Sequence, residues 1–250
     1  MRCIISQELD TDLLGTFTGE IERVLDPLAT AREKCIRAMD VTGCDLAVAS
    51  EGSFGPHPVM VFVAGCEELL LLVDRANDFE VVAREISAST NFATAQLQSE
   101  EELLAFADKA GFPEHALILR QSRNSSERIH KGIRDRDRLL EAFRSLRADL
   151  PSVCVETDMR AMHNPQRMAV IGDATRKLVA LLASRCPGCD MPGFSVTEVV
   201  RGLPCELCGL PTNSASRHIS SCRHCGFSSE LRHPDGKTAE NPMYCGFCNP

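Results

Sequence analysis

Cys186-Pro187-Gly188-Cys189, Cys205-Glu206-Leu207-Cys208, Cys222-Arg223-His224-Cys225 and Cys245-Gly246-Phe247-Cys248 punctuate the end of the chain. Each Cys-x-x-Cys turn offers two thiolates on one side of a tight loop, so four turns are the ligand complement of two tetrahedral all-cysteine zinc sites. Fifteen residues separate Cys189 from Cys205 and 19 separate Cys225 from Cys245, both within zinc-ribbon spacing. Sequential pairing, first turn with second and third with fourth, is expected over a cross-braced arrangement because it closes the shortest loops. The competing reading is disulfides. Met1-Arg2-Cys3-Ile4-Ile5-Ser6 runs into acidic residues with no apolar signal segment, which points to a reducing cytoplasm and so to metal. The other five cysteines, Cys3, Cys35, Cys44, Cys66 and Cys154, stand singly in apolar context and read as small buried hydrophobes.

From Arg185 onward the basic residues Arg185, Arg201, Arg217, Arg223, Arg232 and Lys237 are matched by Asp190, Glu198, Glu206, Glu230, Asp235 and Glu240. With a formal net charge of −8 over the whole chain, too few cations remain to neutralise a nucleic-acid backbone. Structural folding of a tail poor in large apolar residues is the expected role of the metal.

The remainder predicts one α/β domain over residues 1–184, ahead of a double zinc-ribbon module over 185–250. Its interior is aliphatic, with no Trp and one Tyr. The longest apolar runs, Val59 to Ala64 and Leu69 to Val73, are strand-sized, so no membrane span is expected. Helical spacing of Leu28, Ala31, Cys35, Ala38 and Met39 predicts a helix closed by Gly43. Leu46 to Ala49, Val59 to Ala64, Leu69 to Val73 and Phe79 to Ile86 read as strands, with Asn77-Asp78 a turn. Ser99 and Glu102 form a capping box for a helix ending at Gly111. Ala116 to Leu119 and Val153 to Glu156 are further strands, Ile133 to Leu150 an amphipathic helix, and Asn164-Pro165 opens another to about Ser184. Strands alternating with helices imply a mixed, largely parallel sheet flanked by helices on both sides.

In such sheets ligands sit beyond the carboxyl ends of strands. Glu51, Arg120, Glu156, Asp158 and Arg160 fall at those ends, as does Asp74, which reads as a turn former. The loop Ser50-Glu51-Gly52-Ser53-Phe54-Gly55-Pro56-His57-Pro58 joins a carboxylate to hydroxyls and flexible glycines, and Arg120 to Ser126 adds anion donors ahead of a helix. His57, between two prolines, reads as an exposed residue, and His163, before an Asn cap, as one that shapes the turn.

Two resemblances attach to particular motifs. Asp10-Thr11-Asp12-Leu13-Leu14-Gly15-Thr16-Phe17-Thr18-Gly19-Glu20-Ile21-Glu22-Arg23, the segment 49–58, Glu156-Thr157-Asp158-Met159-Arg160 and Cys245-Gly246-Phe247-Cys248-Asn249-Pro250 resemble a bacterial family with a domain of unknown function, over nearly the whole chain. Members of that family begin earlier, which implies a start shortened relative to them. Residues 15–120, by the order of Thr16-Phe17, a helix with Ala31 and Lys34, and a strand leading to Ser50-Glu51-Gly52, are similar to the inosine/xanthosine triphosphate pyrophosphatase superfamily. That resemblance implies phosphate contact by Lys34 and Mg2+ at Glu51, while the family's helix carboxylate falls at Ala29.

Two function classes follow. One is a Mg2+-dependent hydrolase of a nucleotide or phosphate ester, with Glu51, Glu156 and Asp158 as catalytic or metal groups and Lys34, Ser53, Arg120 and Arg160 as phosphate holders. The other is a non-catalytic adaptor whose two structural Zn2+ sites present a surface to a protein partner.

Overall fold

A computed structural model describes residues 3–5, 9, 11–15, 24–122 and 127–250. Thr16-Phe17 and positions 123–126 of the expected anion loop lie outside them. The chain divides into two compact units, Met1–Leu178 and Val179–Pro250.

In the first unit a 3-10 turn (Thr11–Leu14) precedes α1 (Pro27–Thr42), which is opened by Asp26, whose carboxylate accepts from the N–H groups of Leu28 and Ala29. A meander follows, β1 (Leu46–Pro56), β2 (Ala64–Asp74) and β3 (Phe79–Ser87), antiparallel in the order β1-β2-β3. Asp74 is the expected turn former, accepting from the amide and side chain of Asn77. Leu69 and Leu71 face α1 and pack with Ala31, Cys35 and Met39. The alternate residues Glu68, Leu70 and Leu72 are buried as well. That second face lies toward α4 (Pro165–Ala183), whose Arg167 meets β2 at Glu68 and whose Lys177 reaches β3 at Glu85. Burial on both faces explains why Leu69 to Val73 is continuously apolar.

A second sheet contains β4 (Thr94–Leu97), β5 (Leu117–Arg120), β6 (His130–Ile133) and β7 (Val153–Thr157) in the order β4-β7-β5-β6. Helices α2 (Glu100–Ala110) and α3 (Arg136–Arg147) cover the face carrying Leu97, Leu117, Leu119, Ile133, Val153 and Val155. Each full burial of such a side chain stabilises the fold by roughly 1.5–3 kcal/mol. The Ser99/Glu102 capping box forms as the sequence implies, and Gly111 closes α2.

The sheets are antiparallel at every pairing, which overturns the expectation of a largely parallel sheet. The misreading has a topological cause. Because β4 and β5 both run antiparallel to β7, they are parallel to each other, joined through α2 but split by β7. In the same way β6 and β7 are parallel, joined through α3 but split by β5. The βαβ alternation is real, yet no two parallel strands are hydrogen-bonded neighbours. The short strands β4 and β6, Thr94-Ala95-Gln96-Leu97 and His130-Lys131-Gly132-Ile133, lack a hydrophobic pattern, and α3 starts later than expected because Ile133 ends β6 and Asp135 caps the helix.

Two further expectations fail. Val59 to Ala64 is not a strand; residues 57–63 form the tip of the β1–β2 hairpin. The segment from Ser50 to Pro56 is strand, not loop.

The second unit is a three-stranded antiparallel sheet, β8 (Ser195–Arg201), β9 (Ala215–Ser221) and β10 (Ser228–Arg232), in the order β10-β9-β8, with the Cys-x-x-Cys turns at its ends. Among the described residues, no helix is long and apolar enough to cross a membrane.

Candidate metal centres

All four Cys-x-x-Cys turns have the same local build. The amide four residues after the first cysteine donates to that cysteine's carbonyl: Asp190 to Cys186, Gly209 to Cys205, Gly226 to Cys222 and Asn249 to Cys245, at 2.8–3.0 Å. This closes a tight loop and turns both sulfurs to one side.

Sheet register then decides which loops meet. Ser195 at the start of β8 pairs with Ser221 at the end of β9, so the turn before β8 lies beside the turn after β9. The Cys205/Cys208 turn sits past the other end of β8, where a bridge from Cys205 to Glu240 brings in the fourth turn. Glu206 donates to the Glu240 carbonyl and Glu240 to that of Pro204. Buried Glu240 accepts from the Ser214 hydroxyl at 2.7 Å and the Asn241 amide at 2.9 Å, contacts that, with Lys237, hold its carboxyl below the usual range.

Two clusters result, Cys186/Cys189/Cys222/Cys225 and Cys205/Cys208/Cys245/Cys248, each with all sulfurs within 4.8 Å of one another. The pairing is cross-braced, not sequential. Loop-closure entropy was the wrong arbiter: each doubling of loop length costs only about 0.6 kcal/mol. The β8–β9 ladder outweighs that difference and separates the first two turns by the length of β8.

The sulfur spacing tests whether a metal fits. A tetrahedron with a zinc–sulfur distance near 2.3 Å has edges of about 3.8 Å. The Sγ···Sγ separations are 3.6 Å (Cys186–Cys225), 3.7 Å (Cys189–Cys222), 3.9 Å (Cys205–Cys248) and 3.7 Å (Cys208–Cys245). A disulfide requires about 2.0 Å. Backbone N–H groups of Cys225 and His224 lower the Cys222 thiol to about 6, and those of Cys248 and Phe247 lower Cys245 to about 7. Sulfur neighbours and burial push Cys248 up to about 12. Four crowded sulfurs cannot all ionise alone, and a divalent cation is the group that would allow it.

Of the isolated cysteines, Cys35, Cys66 and Cys154 are buried as expected, whereas Cys3 is exposed and Cys44 half-buried. Burial raises Cys35 to about 11 and, with Glu68 beside it, Cys66 to about 12.

Of the seven residues read from sequence as catalytic or phosphate-holding, six lie in three ion pairs and the seventh is Ser53. Lys34 on α1 contacts Glu51, which lies within β1, and Ser53 follows two residues along the same strand. Arg120 on β5 contacts Glu156 on β7. Asp158, wholly buried just past β7, accepts from the Gly132 amide at 3.1 Å, the Arg160 amide at 3.1 Å and the Arg160 guanidinium at 2.6 Å. Among the described residues, the groups able to hold a metal are the two cysteine clusters, and Glu51, Glu156 and Asp158 form none. A recess of about 320 Å³ between β6 and α3 is lined by His130, Lys131, Arg138 and Glu141 among others, and by none of the seven.

Sequence reasoning passed over Glu68 and Arg167. Arg167 Nε donates to Glu68 at 2.6 Å and Nη1 to the Met159 carbonyl at 2.6 Å, with both residues buried and the guanidinium 5.4 Å from the Phe54 ring centroid. The signal was present: Arg167 shares the inward stripe of α4 with Val170, Ala174 and Leu178.

A family model described as a domain of unknown function, DUF6671, matches residues 34–250. The chain belongs to the DUF6671 family. Both the helix-covered sheets and the cysteine clusters therefore fall inside one DUF6671 match. No curated protein and no solved structure matches the chain, and the similarity to inosine/xanthosine triphosphate pyrophosphatases expected from residues 15–120 finds no support.

Proposed function

We propose that the protein is a non-catalytic protein-binding module in which two structural zinc ions rigidify an apolar docking surface. The observation carrying this reading is the asymmetry between the two clusters. In the second, Leu207 and Phe247 each occupy a position between ligand cysteines and are 75% and 71% exposed. Tyr244, Met243 and Leu210 add exposed apolar surface beside them. The first cluster has Pro187-Gly188 and Arg223-His224 at the equivalent positions. Because the ligand cysteines fix each turn, these side chains cannot fold back, and a rigid apolar patch rimmed by polar residues suits a protein partner.

The rival reading, Mg2+-dependent hydrolysis of a nucleotide or phosphate ester, would have to draw Glu51, Glu156 and Asp158 away from Lys34, Arg120 and Arg160. The pairing of Glu51 with Lys34, of Glu156 with Arg120 and of Asp158 with Arg160 favours the adaptor instead.

The test places a photo-cross-linking amino acid at position 247 of the full chain. The expected result is a discrete protein adduct that disappears in Leu207→Asp while elemental analysis still counts two zinc ions per chain. Absence of any adduct, together with Mg2+-dependent phosphate release that Glu51→Gln abolishes, would replace this reading with the hydrolase.

A further inference from the structure

The tip of the β1–β2 hairpin faces water with five consecutive apolar side chains. Phe62 is 100% exposed and Val59 83%, and Met60, Val61 and Val63 are exposed as well. Core contacts of this hairpin with α1 gather at Ala47, Ala49, Leu69, Leu71 and Val73, toward the opposite end. Each strand has 11 residues and α1 has 16, lengths of about 36 Å and about 24 Å, so the hairpin outreaches the helix that covers it.

We infer that this tip inserts into the interfacial layer of a zwitterionic phospholipid bilayer. Three observations lead there. First, all five side chains are exposed around a turn, closed by the Val63 amide on the Met60 carbonyl. A single protein wall would cover one side of such a turn, whereas lipid surrounds a tip completely.

Second, the tip pairs part of its own backbone. His57 Nδ1 accepts from the N–H groups of Val59 at 3.2 Å and Met60 at 3.1 Å. The His57 amide donates to the Val63 carbonyl at 2.8 Å, the Val63 amide to Met60 at 2.9 Å, and Pro58 has no N–H. Gly65 permits this packing, since a Cβ there would lie 2.9 Å from His57 Cα. Water would satisfy such amides at no cost; in an acyl environment an unpaired amide is expensive, so internal pairing suits an apolar medium.

Third, residues 52–66 contain no Asp, Glu, Lys or Arg, in a chain of formal charge −8. The contact is therefore uncharged, and anionic headgroups repel the rest of the molecule. A seven-residue tip reaches the interface without crossing the bilayer.

The chain has no Trp, so Phe62→Trp introduces a single tryptophan whose emission can be excited selectively over Tyr244 in the full-length protein. With phosphatidylcholine vesicles its emission should shift to the blue and be quenched by brominated acyl chains, independently of salt. Phosphatidylserine-rich vesicles should bind less. Phe62→Asp should retain the circular dichroism spectrum and melting temperature while partitioning to vesicles falls about tenfold or more. An unshifted emission with phosphatidylcholine would overturn the proposal. So would a concentration-dependent dimer that Phe62→Asp dissolves without lipid, or cross-linking of the tip to a protein partner.

Discussion

Arg167 and Glu68 form the buried ion pair that ties α4 to the first sheet. Gly52, opposite Glu68 in the ladder, makes room for it, since a Cβ there would fall 2.5 Å from the guanidinium and 2.8 Å from the carboxylate. Removing one partner strands the other charge in a dry interior, so Arg167→Met should lose about 3–5 kcal/mol in urea unfolding. The double variant Glu68→Gln/Arg167→Met should lose less than the sum of the singles, the coupling expected of touching groups. His163 makes a second residue-scale case. Its Nδ1 is buried without a partner, and burial holds its pKa below 6.5 despite the nearby Asp158 carboxylate, with Arg160 and Arg134 also opposing protonation. The unfolded chain therefore binds the proton more readily. Stability from this group is complete above 6.5 and is lost as pH falls toward the lowered folded value. Melting temperature should drop on acidification from pH 7 through that window, and His163→Asn should flatten this part of the profile.

At the scale of elements, caps and turns follow local sequence while pairings do not. Ser99 accepts from the Glu102 amide at 3.2 Å, and the Glu102 carboxylate accepts from Gln98 and Ser99 in return. Ser99→Ala should cost about 1 kcal/mol, read as a lower urea midpoint with an unchanged slope. Such elements were legible because their hydrogen bonds join residues three or four apart. The strands β4 and β6 were not, because four-residue strands take their stability from the neighbours they join. The hairpin tip shows the converse error. Val59 to Val63 has strand composition, but His57 holds the amides of Val59 and Met60, the Met60 carbonyl holds that of Val63, and all five side chains are exposed.

At the scale of the molecule, the cross-brace sets both candidate metal sites on one ladder. Both clusters hang on the same β8–β9 ladder, one at each end. The second unit has a small apolar core, with Leu203 buried and Phe194 against Phe227. On the zinc reading proposed above, metal binding would supply much of its folding free energy. Chelation should release two metal ions per chain and abolish hydrogen-exchange protection across residues 195–232, while α2 and α3 stay protected. Cys222→Ser should remove one ion in native mass spectra and also loosen the Cys205/Cys208 turn, an effect that independent sequential ribbons would not show.

The eight clustered cysteines, the Ser99/Glu102 capping box, the closure of α1 by Gly43 and of α2 by Gly111, and the strand around Leu69 to Val73 were determined by the sequence itself, since each depends on spacing within a few residues. Which turns share a metal, where β7 inserts between β4 and β5, and how Lys34, Arg120 and Arg160 close off Glu51, Glu156 and Asp158 were decided only in three dimensions. Those outcomes depend on strand register between segments tens of residues apart, and the free energy of a ladder or a buried ion pair belongs to the pair, so neither segment carries it alone.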